Sequence, residues 1–126
     1  MTRDELIAWT AERYSAEPEY PWDDEAFIFR HRSNRKWFAV VMRVGYRRLG
    51  LDREGTADVV NLKCGPLLMG AYRGLPGVLR CYHMNKEHWV SVLLDGSAGE
   101  DTVKELLELS YELTDRKTRP KKTAGS

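Results

Sequence analysis

The sequence predicts an α+β domain of two layers, an antiparallel sheet with helices on one face, in the order α-β-β-β-α-β-β-α. Strand-like runs come in pairs joined by very short polar turns, so each member of a pair must run antiparallel to the other. Segments with helical apolar spacing stand near both ends of the chain. A short helical segment bounded by Gly-Pro and Gly-Leu-Pro-Gly separates the third strand from the second pair.

Thr2 followed by Glu5 forms a capping-box pattern, and Leu6, Ile7, Ala11 and Tyr14 recur at helical spacing, which predicts a helix from Arg3 to Ser15. Pro18 and Pro21 end it. Ala26 to Arg32 places Phe27 and Phe29 on one face of a strand, and Lys36 to Val44 forms the second strand of a hairpin turned by Ser33, Asn34 and Arg35. Residues 45–56, GYRRLGLDREGT, lack periodicity and are expected to form a loop or extended tip before the strand ADVVNLKC.

Gly65 and Pro66 open the short helix, in which Leu68, Met69 and Tyr72 share a face. Val78 to Met84 and Glu87 to Leu94 form a second hairpin about a two-residue turn, Asn85-Lys86. Ser97 and Glu100 suggest another capping box, followed by a helix to Lys117 with Val103, Leu106, Leu107, Ser110 and Leu113 on its inner face. The expected domain spans 1–118, and 119–126 has the composition of a mobile basic tail.

At 126 residues and 14.6 kDa, with 42% hydrophobic and 31% charged residues, the chain is the size and composition of one globular domain. No run of apolar residues suits a membrane span, and the N-terminus lacks the features of a secretion signal, so a cytoplasmic protein without membrane partners is expected. Cys64 and Cys81 form no CxxC pair and are expected as two buried thiols. No phosphate loop, nucleophile elbow or zinc-protease motif is present, so the expectation is a non-enzymatic domain without a cofactor.

The net charge of +1 hides a strong asymmetry: residues 1–26 hold eight acidic and two basic side chains, whereas 27–53 hold eight basic and one acidic. Cations at hairpin tips suit a phosphate backbone. The candidates are Arg30, Arg32, Arg35, Lys36 and Lys86 on the hairpins and turns, Lys63 and Arg80 on strands, and Arg47 and Arg48 in the intervening loop. The alternative is a solvated sheet edge whose charges discourage aggregation, and the acidic N-terminal segment would repel DNA if it lay beside the tips.

Two further possibilities follow from the pattern. A two-residue turn at Asn85-Lys86 would set His83 across from His88 on the face that carries Cys81, a candidate metal triad without an evident fourth ligand. The alternative is that these histidines brace the hairpin against Tyr82 and Trp89. An apolar sheet face left open would instead receive a protein partner or a second copy of the chain. Trp37 and Trp89 lie within strand runs and are expected to pack, and the burial of Trp22 is left open by the sequence.

The stretches PWDDEAFIFRH, NRKWFAVVMRV, NLKCGP, YHMNKEHWVSVLLDGS and ELLELSYEL resemble the bacterial MmcQ/YjbR family over nearly the whole chain. The most specific piece is His83-Met84-Asn85-Lys86-Glu87-His88-Trp89. The resemblance implies a two-layer α+β domain of frataxin-like outline, with two projecting β-hairpins, a double wing, that are suggested to contact DNA. The loop around Arg47 and Arg48 lies outside the matching stretches.

Overall fold

Thr2 caps the first helix as the sequence predicts: its hydroxyl accepts from the Glu5 amide while the Glu5 carboxylate accepts from the Thr2 amide, satisfying two donors that a helix start leaves without partners. The computed structural model describes residues 1–22 and 25–115. Within them lie α1 (Arg3–Tyr14), β1 (Phe27–Arg30), β2 (Trp37–Gly45), a 3-10 turn (Tyr46–Leu49), β3 (Thr56–Lys63), α2 (Gly65–Arg73), β4 (Val78–Arg80), β5 (Trp89–Leu93) and α3 (Glu100–Thr114). The tail expected over 119–126 and the helix end expected at Lys117 fall outside the described residues.

The five strands form one antiparallel sheet in the order β1-β2-β3-β5-β4. One face carries Phe27, Phe29, Val41, Val60, Leu62, Val90 and Val92, which pack with Leu6 of α1, Met69 of α2 and Val103, Leu106 and Leu107 of α3. All three helices therefore lie on one side, as expected for a sheet that must bury an apolar face. Between Phe29 and Arg30 the register with β2 shifts, a bulge that turns both Phe38 and Ala39 toward this core.

Ser110 joins the layers. Its hydroxyl donates to the Phe38 carbonyl of β2 at 2.6 Å and accepts from the Lys63 amide of β3 at 2.9 Å, with no exposure to solvent. A polar residue on the inner stripe of α3 thus satisfies two strand groups that would otherwise be buried without partners.

Three sequence expectations give way to other local chemistry. The N-cap of α3 is Gly99, because Asp95 Oδ1 instead accepts from both the amide and the hydroxyl of Ser97 and closes its own turn. Residues 46–51 do not form a tip. They fold against the second face of the sheet, where Tyr46 packs with Val44, Ala57, Val59 and Leu93, and the Tyr46 hydroxyl donates to Asp95 at 2.7 Å. In α2 only Met69 of the expected face is buried, and Leu67 is 97% exposed.

The second hairpin departs most. Val78 pairs with Val92 and Arg80 with Val90, a register that excludes a two-residue turn at Asn85-Lys86 and leaves 81–88 as a loop. Asn-Lys lacks the glycine that the tight hairpin turns favour. The Asn85 side chain accepts from the Glu87 amide, and its carbonyl accepts from the amides of His88 and Trp89. Leaving the sheet at Cys81, the chain crosses the second face, where Asn61 donates to the Tyr82 carbonyl and Ser91 accepts from the Tyr82 amide. Ser91 in turn donates to Asn61, and both side chains are fully buried. The second hairpin is therefore latched across the sheet rather than projecting from it.

The first tip is also held. Asn34 donates to the Thr114 carbonyl at the end of α3, and its side-chain oxygen accepts from the Lys36 amide. His31, 4% exposed, lies 2.8 Å through Nε2 from the Thr114 hydroxyl. Because that hydroxyl gives its one proton to the Ser110 carbonyl, Nε2 carries the hydrogen and donates. Nδ1 then faces the Asp115 carboxylate at 3.4 Å.

Replacing Ser110 with alanine is expected to cost about 1–3 kcal/mol of unfolding free energy, because the Lys63 amide and Phe38 carbonyl lose their partner inside the core. Urea unfolding measures it, and a loss below about 0.5 kcal/mol would show that the strand groups find other partners. For His31, burial lowers the imidazole pKa below its usual 6.5 and outweighs the opposing pull of Asp115. Between those two values the unfolded chain binds more protons, so the contribution of His31 is fully present above about 6.5 and is lost as pH falls through the folded-state value. Unfolding curves between about pH 7.5 and 5.5 should show this decline, and His31→Gln should flatten it.

Candidate nucleic-acid interface

The strand directions place both hairpin turns at the same end of the sheet. The first turn joins β1 to β2; β3 runs back antiparallel to β2, so Lys63 finishes level with that turn. Trp89, opposite Lys63, begins β5 at this end, directly after the 81–88 loop. The axes of the two hairpins lie three strand spacings apart, about 14 Å, with β3 between them.

Of the nine basic candidates, six occupy this end: Arg32, Arg35 and Lys36 at the first turn, Lys63 in the middle, Arg80 at the end of β4, and Lys86 in the second loop. Among the described residues, none of the six forms an ion pair. Arg35 is held at φ 65, a left-handed conformation, by its amide donating to the His31 carbonyl and by the Asn34 turn beside it. The neighbouring cations therefore sit on a clamped scaffold rather than on a free loop.

Two other candidates are neutralised. Arg30 reaches Glu19 through two nitrogens, at 3.1 and 2.9 Å, and Arg47 pairs with Glu54 at 2.8 Å and Asp52 at 3.6 Å. Arg48, the ninth, is exposed and without an ion pair among the described residues, and it reaches the second loop over the sheet's second face. There Arg48, Leu49 and Gly50 face Arg80 to His83 and Lys86 across a concavity of about 390 Å³. Arg73, at the end of α2, adds a further cation beside Arg80 and Lys86.

Two carboxylates of the acidic N-terminal segment, Glu17 and Glu19, line the cleft beside Arg30 and Arg32 at the first turn. Glu25 and Asp58 lie at the opposite end of the sheet, where they engage Arg43, and Asp58 also engages Arg3. Glu19 bonds to the edge of β1 through the backbone of Ile28 and holds Arg30. Of the acidic residues before β1, Glu25 is thus paired away from the hairpin end and Glu19 is paired beside the first turn.

The candidate metal triad does not assemble. The register moves His83 out of line with His88, His83 is exposed at φ 72, Cys81 is buried, and His88 is half-buried. Among the described residues no group of three His, Cys, Asp or Glu side chains is placed to hold a metal ion. Both thiols are buried and unpaired with each other, as expected, and burial pushes the pKa of each up, away from reactive thiolate. The apolar sheet face proposed for a partner is covered from within the chain by residues 46–51 and Tyr82. No described helix is long and apolar enough to cross a membrane.

The residues that position this end were only partly visible in the sequence. His31 lies two and four residues beyond Phe29 and Phe27, the period of a strand's inner face, and that alternation is the signal that places it in the core. A surface cleft of about 530 Å³ lies beside it between Tyr14, Phe38, Tyr111 and the arginines 30 and 32, but Glu17 and Glu19 offset the charge there. Tyr111 stacks on Tyr14 with ring centres 3.9 Å apart. Trp22, 55% exposed, meets the edge of Trp37.

Comparison with known proteins places this arrangement in a family. A family model described as YjbR matches residues 11–113. The uncharacterized protein YyaQ of Bacillus subtilis is 38% identical over 116 residues, covering 90% of this chain and 98% of that protein. A crystal structure of a Pseudomonas syringae protein, also 38% identical, superposes with a TM-score of 0.87 over 90% of this chain and 99% of its own. The Deinococcus radiodurans protein DR2400, 28% identical, superposes with a TM-score of 0.69 over 95% of this chain and 83% of its own. Sequence and fold agree over almost the full length, and the chain belongs to the YjbR family.

Proposed function

We propose that this domain binds nucleic acid, without catalysis, by laying the phosphate backbone along the cationic end of its sheet. The observation that carries the proposal is the alignment of Arg32, Arg35, Lys36, Lys63, Arg80 and Lys86 at one end, unpaired among the described residues, while carboxylates hold Arg43 and Arg3 at the other. Such point charges neutralise phosphates and release counterions, which gives affinity without reading base edges. The small net charge of +1 is no obstacle, because the local field at the binding end, not the total, sets the attraction.

The clamped turn adds to this. Asn34 and His31 fix the first tip to α3, and Asn61 and Ser91 fix the second across the sheet, so cations on both sides are displayed on backbone that is ordered before binding. Their guanidinium and ammonium ends remain solvated until a phosphate approaches.

Binding to duplex and single-stranded oligonucleotides should weaken steeply as salt rises from about 50 to 200 mM. The combined variant Arg35→Glu, Lys36→Glu and Lys86→Glu should bind at least tenfold more weakly and lose about three units of the salt-dependence slope, one for each phosphate contact removed. Arg47→Gln, which removes a cation already paired with Glu54 and Asp52, should change the affinity less than twofold. No retention of any nucleic acid at about 50 mM salt would overturn the proposal.

A further inference from the structure

The concavity between the 3-10 turn and the 81–88 loop has a lining that the six sheet-end cations alone do not require. Among the described residues its charged side chains are all basic, Arg48, Arg80 and Lys86, joined by His83, and none is acidic. The remaining wall is Leu49, Gly50, Cys81 and Tyr82. At about 390 Å³ it falls within the range of small-ligand sites, about 300–1,000 Å³.

Two features give one wall an aromatic character. The rings of Tyr82 and His83 lie 4.0 Å apart at 48° to each other. His83 is held at φ 72, a conformation unfavourable for a side chain with a Cβ, and strain of this kind gathers at binding sites where the surroundings enforce it. Enforcement comes from the adjacent Tyr82, whose amide and carbonyl are both fixed by Ser91 and Asn61. Across the gap, Gly50 leaves open space, since a Cβ there would meet nothing within 4 Å.

We infer that this groove receives an unpaired nucleotide, with the base against Tyr82 and His83 and the phosphate on Arg48, Arg80 and Lys86. The inference deepens the nucleic-acid proposal and rests on it, by naming a single strand as the preferred substrate. A duplex keeps its bases stacked and offers the protein mainly phosphates, which the end of the sheet can meet. Only an unpaired nucleotide can bring a planar ring and a phosphate together into a recess of this size. The flanking phosphates of the strand then run on toward Lys63 and the first tip.

Fluorescence anisotropy at one fixed salt concentration, with short single-stranded DNA, single-stranded RNA, duplex DNA and an abasic single strand, tests this. Single strands should bind at least about fivefold more tightly than duplex, and about 5- to 100-fold more tightly than the abasic strand. The DNA and RNA arms show which sugar the groove accepts. The double variant Tyr82→Ala, His83→Gly should lower single-strand affinity to the abasic value and leave duplex affinity unchanged. Glycine suits the left-handed backbone, alanine keeps both backbone hydrogen bonds of residue 82, and Tyr82→Phe should bind as the native protein does. Equal affinity for single strand and duplex, equal affinity for the abasic strand, or full single-strand affinity in the double variant would each overturn the groove assignment while leaving backbone binding standing. Absence of binding to all four probes would overturn both.

Discussion

The buried hydroxyl of Ser110 is the contact on which the hairpin end depends. It ties α3 to β2 at Phe38, next to the bulge, and to β3 at Lys63, so the last helix cannot shift along the sheet without breaking two bonds inside the core. One turn further along α3, Thr114 accepts from His31 at its hydroxyl oxygen and from Asn34 at its carbonyl. The helix register set by Ser110 therefore sets where the first turn is pinned, and with it the position of Arg32, Arg35 and Lys36. Apolar burial by Val103, Leu106 and Leu107 supplies most of the attraction between the layers, but apolar contacts have no direction, and the two hydrogen bonds of Ser110 choose among the registers they would tolerate.

The two faces of the sheet are closed by different means. Helices cover one face through ordinary amphipathic packing. The other is covered by segments without regular structure, the 3-10 turn and the loop beyond β4, each held by specific polar contacts: Tyr46 to Asp95, and Tyr82 to Asn61 and Ser91. Loops can lie over apolar residues only when their backbone groups are satisfied, and the Asn61–Ser91 pair does this for both polar groups of Tyr82. Closure of this face places its apolar residues inside the chain.

Element type was legible wherever apolar periodicity and caps agreed. The Thr2 capping box, the strands around Phe27 and Phe29, and the inner stripe of α3 from Val103 to Ser110 follow from side-chain spacing that the fold preserves, whereas in the last turn Thr114 is buried and the expected Leu113 only half-buried. What the sequence could not convey was competition between local hydrogen bonds. Ser97 has the spacing of a helix cap, yet Asp95 is nearer and takes it; Asn85 and Lys86 sit where a tight turn would fall, yet Ser91 on the facing strand and Asn61, farther off in sequence, draw Tyr82 away. The one-residue change in hairpin register that results dissolves the expected histidine pairing, because side-chain direction in a ribbon alternates at every residue. For the cations, type and approximate place were readable but pairing was not: only the folded chain reveals that Glu19 occupies Arg30 whereas Arg32, two residues on, forms no ion pair among the described residues.

The latch at Tyr82 has a dynamic consequence. Because side chains rather than a strand ladder hold this segment, it can detach by releasing the bonds to Asn61 and Ser91 while β3 and β5 stay paired. Solvent deuterium would then reach the Tyr82 amide through a local excursion, whereas the fully buried Val60 and Val90 within the central strands exchange only when the sheet itself comes apart. The wall of the groove and the body of the domain thus answer to separate free energies.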